Sequence, residues 1–305
     1  MEYLRGCDIG QTSPSVLSVG KFSSLHLGHR SIISQAIDMA HQISARSALL
    51  SFDPKPGTPL FSSSNQNILT WTERKRILQC WGLDLFVKYP FTTELSNMSA
   101  EAFAREILFE KLRAKAIFVG DFFRFGKNRE GDVSLLTKLA AEYNAQILSL
   151  PEISADEQKI SSSTIKSHIT NGSIGKANRL LGYDYFISGT VSEGKHIGRT
   201  IGFPTLNITP GSDKLLPKHG VYITQTLLCG KLYPSITNVG TNPTVDGNRV
   251  TVESNLIGFN ETAYNRKVTV HFHKQIREQV KFNTLNDLKN QISKDRHAAV
   301  EYFKL

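Results

Sequence analysis

The first half of the chain alternates two textures of apolar and polar positions. Short runs rich in β-branched and aromatic residues over 16–22, 48–52, 85–89, 116–119 and 146–150 predict strands, the fourth ending at Gly120. Between them apolar residues recur at helical spacing. Ile32, Ile33, Ala36, Ile37 and Ala40 predict a helix over 29–43, and similar patterns predict helices over 70–81, 99–112 and 133–143. Thr70 followed three residues later by Glu73 has the form of a capping box, and Ser99 opens the next helix. Strand–helix alternation of this kind predicts an α/β domain, with a parallel sheet covered by helices on both faces.

The pattern changes after 178–185. Short alternating runs over 186–191, 205–208, 221–228, 232–239, 250–259 and 268–273, separated by Gly, Asn and Pro turns, predict an antiparallel barrel or sandwich. One amphipathic helix over 284–303, with Leu288, Ile292 and Val300 on one face, closes the chain. The expected domains are therefore 1–184 and 185–305, and 305 residues suit two of them. With 40% hydrophobic and 21% charged residues, the composition is that of a folded chain. No apolar run approaches the roughly 18 residues of a membrane helix. Glu2, Arg5 and Asp8 leave no apolar signal segment at the start. Cys7, Cys80 and Cys229 are too scattered for a disulfide framework or a zinc site, which points to a reducing compartment and a cytoplasmic location. The net charge of +9 fits nucleic acid, an anionic membrane surface or small phosphorylated ligands. Its Lys and Arg residues form no run of five or more.

Two stretches carry chemistry. Residues 189–208 hold Gly189, Gly194, Gly198 and Gly202, with Lys195, His196 and Arg199 among them, and end in Pro204-Thr205-Leu206-Asn207. Glycines let backbone amides approach an anion. Thr205 and Asn207, two apart on an extended segment, present neutral oxygen donors on one side, which suits Mg²⁺ beside nucleotide phosphates. A plain glycine-rich hairpin explains the composition equally well. In the first domain, the first strand runs through Gly20 and Phe22 into His26-Leu27-Gly28-His29, where a helix begins. A helix N-terminus after a parallel strand favours phosphate, and two histidines there can stabilise charge during phosphoryl chemistry. Two solvent-facing loop histidines are the alternative.

The strand–loop–helix over 20–29 resembles the nucleotidyltransferase pattern G-x-F-D-G-x-H-x-G-H. Val119-Gly120-Asp121-Phe122-Phe123-Arg124-Phe125-Gly126 and Ile160-Ser161-Ser162-Ser163-Thr164-Ile165-Lys166 resemble two loops of one branch, the prokaryotic-type FAD synthetases. The segment from Asn171-Gly172 to Leu181-Gly182 resembles that branch's linker helix. The resemblance implies a Rossmann-like nucleotidyltransferase domain that transfers AMP from ATP to FMN. His26 and His29 would be its catalytic residues. Gly20, Phe22, Gly28, Ser161, Ser162 and Lys166 would hold ATP and its phosphates, and Phe123 would meet the flavin. The chain departs from the pattern at Ser23-Ser24, where the family has Asp-Gly. It departs again at Phe122, in place of Asp or Asn, and at Lys166, in place of Arg.

Residues 189–207 are similar to the riboflavin kinase pattern G-x-V-x-x-G-x-x-x-G-R-x-x-G-F-P-T-x-N at every written position. Gly220-Val221-Tyr222 and the run from Asn238 to Val245 fit the same family. The resemblance implies a β-barrel kinase domain making FMN from riboflavin and ATP. Thr205 and Asn207 would hold Mg²⁺, while Gly194, Lys195, Gly198 and Thr205 would cradle the ATP phosphates. Glu253 would be the catalytic base and Arg277 a flavin contact. Asn255 and Gly258 stand where the family often has His and Asp. Together the two halves resemble the bifunctional riboflavin kinase/FAD synthetases, with ATP, riboflavin and FMN as the expected partners and no membrane. Two other readings stay open at this point. One is a kinase beside a degenerate nucleotide-binding domain, and the other is a basic nucleic-acid-binding protein.

Overall fold

The structure, a computed structural model, describes residues 1–6, 12–54, 66–151, 154–155, 158–194, 197–244 and 247–305. The chain divides into two compact units, Met1–Ile160 and Ser161–Leu305.

In the first unit six strands form one parallel sheet in the order β1-β4-β3-β2-β5-β6. They are β1 (Glu2–Arg5), β2 (Ser15–Val19), β3 (Arg46–Pro54), β4 (Leu85–Phe91), β5 (Ala114–Gly120) and β6 (Gln146–Leu150). The helices are α1 (Leu27–Gln42), α2 (Trp71–Cys80), α3 (Thr93–Asn97), α4 (Ala100–Ala102) and α5 (Val133–Glu142). Helix α4 continues into wider π-type turns over Phe103–Lys111, where the Leu112 N–H reaches five residues back to Ile107 (3.0 Å). A short ladder joins β7 (Ser154–Ala155) to β8 (Gln158–Lys159).

Both sheet faces are buried, as the near-continuous apolar strands require. Leu17, Val19, Leu50, Ile117 and Val119 pack with Ile107, Leu108 and Leu136 on one side. Val16, Ala116 and Phe118 meet Ala36 and Ala40 of α1 on the other. The predicted capping box is present: Thr70 Oγ1 accepts from the Glu73 N–H, and Glu73 accepts from the Thr70 N–H. Strand β2 ends at Val19, three residues short of the expected 22, because Phe22 takes φ +42° and turns the chain. The edge strand β1 carries too short a pattern to be predicted.

Chain direction across the sheet reverses at β2. From there β3 and β4 lie to one side, and β5 and β6 to the other. The crevice beyond the carboxyl ends of β2 and β5 is the topological switch point, where open α/β sheets take ligands.

The second unit begins with α6 (Ser162–Thr170) and α7 (Ile174–Leu181), ahead of the expected boundary at 184. Helix α7 buries Ile174, Ala177, Leu180 and Leu181. Asn178 fixes it to the barrel, donating to the Phe272 carbonyl (2.9 Å) and accepting from the Tyr185 N–H (2.8 Å). Six strands close an antiparallel barrel in the order β10-β13-β12-β11-β14-β9. These are β9 (Phe186–Ser192), β10 (Leu206–Pro210), β11 (Gly220–Leu228), β12 (Lys231–Thr244), β13 (Gly247–Leu256) and β14 (Lys267–Arg277). A short helix α8 (Ile197–Thr200) precedes β10, and α9 (Leu285–Phe303) ends the chain.

Each wall of this barrel is buried on both faces in places. Thr224, Thr226, Ser235, Thr237 and Ser254 are fully buried and bond to one another at 2.7–3.0 Å, so their hydroxyls are satisfied without water. The alternate positions Val221, Ile223 and Ile236 pack under Ala299, Ile292 and Phe303 of α9.

Candidate active sites

One rung of the barrel gathers the polar residues of the second unit. Ser192 pairs with Asn207, Asn207 with Glu253, Glu253 with Asn238, Asn238 with Val221, and Val221 with Arg277. Directly opposed residues on antiparallel strands share a face, with Cα atoms about 4.5–5.5 Å apart. All six line a cavity of about 520 Å³, together with Gly194, Gly198, Phe203 and Thr205. The sequence-predicted residues Thr205, Asn207 and Glu253 therefore meet in one place, although 46 positions separate the last two. Glu253 is half-buried and its Oε1 lies 3.4 Å from the Thr251 hydroxyl.

The glycines of the opening loop are required by proximity. A Cβ at Gly194 would stand 2.0 Å from Asn207 Nδ2, and one at Gly198 would stand 2.4 Å from the Phe203 carbonyl oxygen. The Phe203 N–H bonds to the Gly198 carbonyl at 2.7 Å, folding the loop back onto the start of β10. Lys195 lies outside the described residues.

Arg277 sits at the end of the rung, but its guanidinium is engaged. Nε and Nη2 donate to both carboxylate oxygens of Asp295 at 2.7–3.1 Å, Nη1 donates to the Glu278 carbonyl, and Gln291 adds a further bond to Asp295. Asp295 is only 4% exposed. This ion pair ties α9 to β14 beside the cavity, so Arg277 is held as a fixed group in the cavity wall.

In the first unit, His26 is the N-cap of α1, and its Nδ1 accepts from the His29 N–H at 3.2 Å. That bond places the proton of neutral His26 on Nε2. The two imidazoles stack with centroids 3.6 Å apart and an interplanar angle of 11°. Burial pushes His26 down to about 4, and burial, the His26 ring and the Arg74 charge hold His29 well below the ordinary range. Both are neutral N–H donors near pH 7. Among the described residues, buried Nδ1 of His29 has no hydrogen-bond partner.

Phe22 is 3% exposed and packs edge-on against His29, 4.9 Å between centroids, so it buttresses the histidine. Gly20 lies under the Phe22 ring and Gly28 beside the His26 ring. Phe123 follows β5 at the same end of the sheet and stacks on Phe125, whereas Phe122 is 73% exposed. Ser161 caps α6, its Oγ accepting from the Thr164 N–H, with Ser162 in the first turn. Burial lowers the pKa of Lys166 on that helix. These three residues belong to the second compact unit.

Sequence reasoning named Asn238 only as the start of a family motif and missed two residues that the structure adds, Asp295 and Arg74. Asn238 joins the rung only through strand register. Asp295 is one polar position among many on α9. Arg74, 4% exposed and lying 4.1 Å over the Trp71 ring, reaches the histidine site from α2.

A switch-point site with two stacked histidines at a helix N-terminus in one unit, and a barrel site with oxygen donors and a carboxylate in the other, define a two-domain phosphoryl- and nucleotidyl-transferase. Residues 8–164 match the FAD synthetase family model, and residues 181–303 match the riboflavin kinase model. The chain is 34% identical to the bifunctional riboflavin kinase/FMN adenylyltransferase of Buchnera aphidicola, over 96% of this chain and 95% of that protein. It is 33% identical to the protein of the same name from Escherichia coli K12, over 100% and 99%. The chain belongs to the bifunctional riboflavin kinase/FMN adenylyltransferase family. A crystal structure described as a macrolide-efflux protein from Streptococcus pneumoniae superposes with a TM-score of 0.86 at 27% identity, covering 96% of this chain and 95% of that one. Among the described residues, no helix here is long and apolar enough to cross a membrane.

Proposed function

We propose that the second unit phosphorylates riboflavin to FMN, and that the first joins AMP from a second ATP to that FMN, giving FAD and pyrophosphate. The observation that carries the kinase step is the Asn207–Glu253 pair on one cavity wall. Glu253 accepts the proton of the ribityl 5′-hydroxyl as that oxygen attacks the γ-phosphorus of ATP, and ADP leaves. The Gly194–Gly198 loop brings backbone close to the phosphates, and the cavity wall holds the flavin in line.

The donors at this site fit a hard divalent cation. Thr205 offers a hydroxyl and Asn207 an amide oxygen, with Glu253 opposite. Among the described residues no cluster of three or more His, Cys, Asp or Glu exists, so the phosphates would complete the shell. Thr205 and Asn207 would hold Mg²⁺, which when bound neutralises charge on the phosphates.

In the first unit, a phosphate oxygen of FMN attacks the α-phosphorus of ATP and pyrophosphate departs. Neutral His26 and His29 donate N–H bonds to the oxygens on which charge builds, at a helix N-terminus that already favours anions. Burial keeps both rings neutral, and the Arg74 charge adds to this at His29. Phe123 would meet the flavin ring. A cytoplasmic location suits enzymes that consume ATP twice.

The test supplies purified protein with riboflavin, ATP and Mg²⁺ and separates flavins by chromatography. FMN and FAD are expected to appear in that order. Glu253→Gln should stop FMN formation yet leave FAD formation from added FMN. The absence of FMN with wild-type protein would overturn the kinase assignment.

A further inference from the structure

Backbone pairing between β10 and β13 begins at Leu206 opposite Ser254. Thr205 stands one residue before that ladder, outside any strand. What ties this segment to β13 is a side chain. Asn255 Nδ2 donates to the Pro204 carbonyl at 2.7 Å across 51 residues. A carbonyl only accepts, so the amide orientation is fixed with its nitrogen toward Pro204. The amide thus adds a rung where main-chain pairing has stopped.

Asn255 lies two residues from Glu253 on β13, hence on the same face, and lines the same cavity. It is 3% exposed, and its Oδ1 is buried with no hydrogen-bond partner among the described residues. An unpaired buried acceptor is costly, and an apolar side chain of the same size would avoid that cost. Stability does not explain an amide at this position. The retained feature is its N–H donor, and that donor acts on the residue preceding Thr205.

We infer that Asn255 is a positioning residue of the kinase site, holding the Pro204–Thr205 segment so that the Thr205 hydroxyl and Glu253 keep one fixed separation. This rests on the kinase reading above. It predicts that the residue governs use of MgATP rather than proton abstraction.

The experiment measures riboflavin phosphorylation by the full chain over ranges of ATP, Mg²⁺ and riboflavin. Asn255→Leu is expected to raise KM for MgATP about tenfold, the size of one lost hydrogen bond. The KM for riboflavin should stay within about twofold, and Tm should not fall, because exposed Pro204 can bond to water instead. Asn255→His, which restores an N–H donor, should recover most of the loss. Asn255→Asp, isosteric and unable to donate while ionised, should reproduce the Leu defect at alkaline pH and covers the case in which Leu fails to fold. Unchanged MgATP kinetics in Leu and Asp would overturn the inference. So would a joint fall in Tm, kcat and both KM-based efficiencies without rescue by His. Failure of wild-type protein to make FMN would instead remove the kinase reading itself.

Discussion

Asn207 and Glu253 are direct cross-strand partners, on β10 and β13, and both line the barrel cavity. The pairing places a metal-type oxygen donor beside a carboxylate on a rigid wall, where hydrogen-bonded strands fix the distance between them. It links the Gly-rich loop, whose Gly194 lies against the Asn207 amide, to the group proposed as base.

Glu253→Gln keeps the size and register of the side chain but removes the basic oxygen. Riboflavin phosphorylation should fall by roughly 10²–10⁴-fold, the usual worth of a general base, with Tm within a degree or two of wild type. Stopped-time FMN assays check it, and near-normal turnover would exclude Glu253.

Gly194→Ala puts a methyl group where Asn207 Nδ2 now sits. The amide can swing aside, so the fold should survive while the proposed metal donor is displaced. The Mg²⁺ concentration giving half-maximal kinase rate should rise several-fold, with FAD formation from FMN unaffected. A titration that overlays wild type would remove Asn207 as a donor.

His29→Ala should abolish FAD formation from FMN and ATP and leave FMN production intact. A variant that still makes FAD at the wild-type rate would show that the stacked histidines do not serve the transfer.

The same histidines should make the first unit acid-sensitive. Burial lowers His26 from 6.5 to about 4 and lowers His29 also, so between these pH values the unfolded chain binds more protons than the folded one. Their contribution to stability is full above pH 6.5 and is lost as the pH falls toward 4. Both tryptophans, Trp71 and Trp81, lie in this unit, so fluorescence melts follow it alone. His26→Asn, a cap that does not titrate, should flatten the dependence. An unchanged slope would argue against burial of a neutral ring.

Asp295→Ala removes the partner of Arg277 from a position only 4% exposed. Losing half of a buried pair costs on the order of 3 kcal/mol. Calorimetry should show the barrel unit destabilised, and riboflavin affinity should weaken as α9 loosens. An unaltered melting profile would reduce the pair to a surface contact.

Much of this protein is legible in its residues alone. Apolar spacing and caps determined the longer helices and most strands, because a parallel strand buried on both faces and an amphipathic helix leave unmistakable periods. The short helices α3, α6 and α8 were not legible. Gly20 to His29, Gly194 to Asn207 and Glu253 were visible as motifs, since loops that touch phosphate need glycine and particular donors whatever the surrounding fold. Other features depend on contacts between distant segments. Thr224, Thr226, Ser235, Thr237 and Ser254 carry hydroxyls, yet they are fully buried in mutual hydrogen bonds, because the barrel closes over one face and α9 covers the other. The turn at Phe22, the rung that adds Asn238, the approach of Arg74 to His29 and the bond from Asn255 to Pro204 join residues that no local period connects. Sequence determines which segments pair with water and which avoid it. Strand register and helix docking decide which side chains end up facing one another, and the chemistry of both sites resides in those pairings.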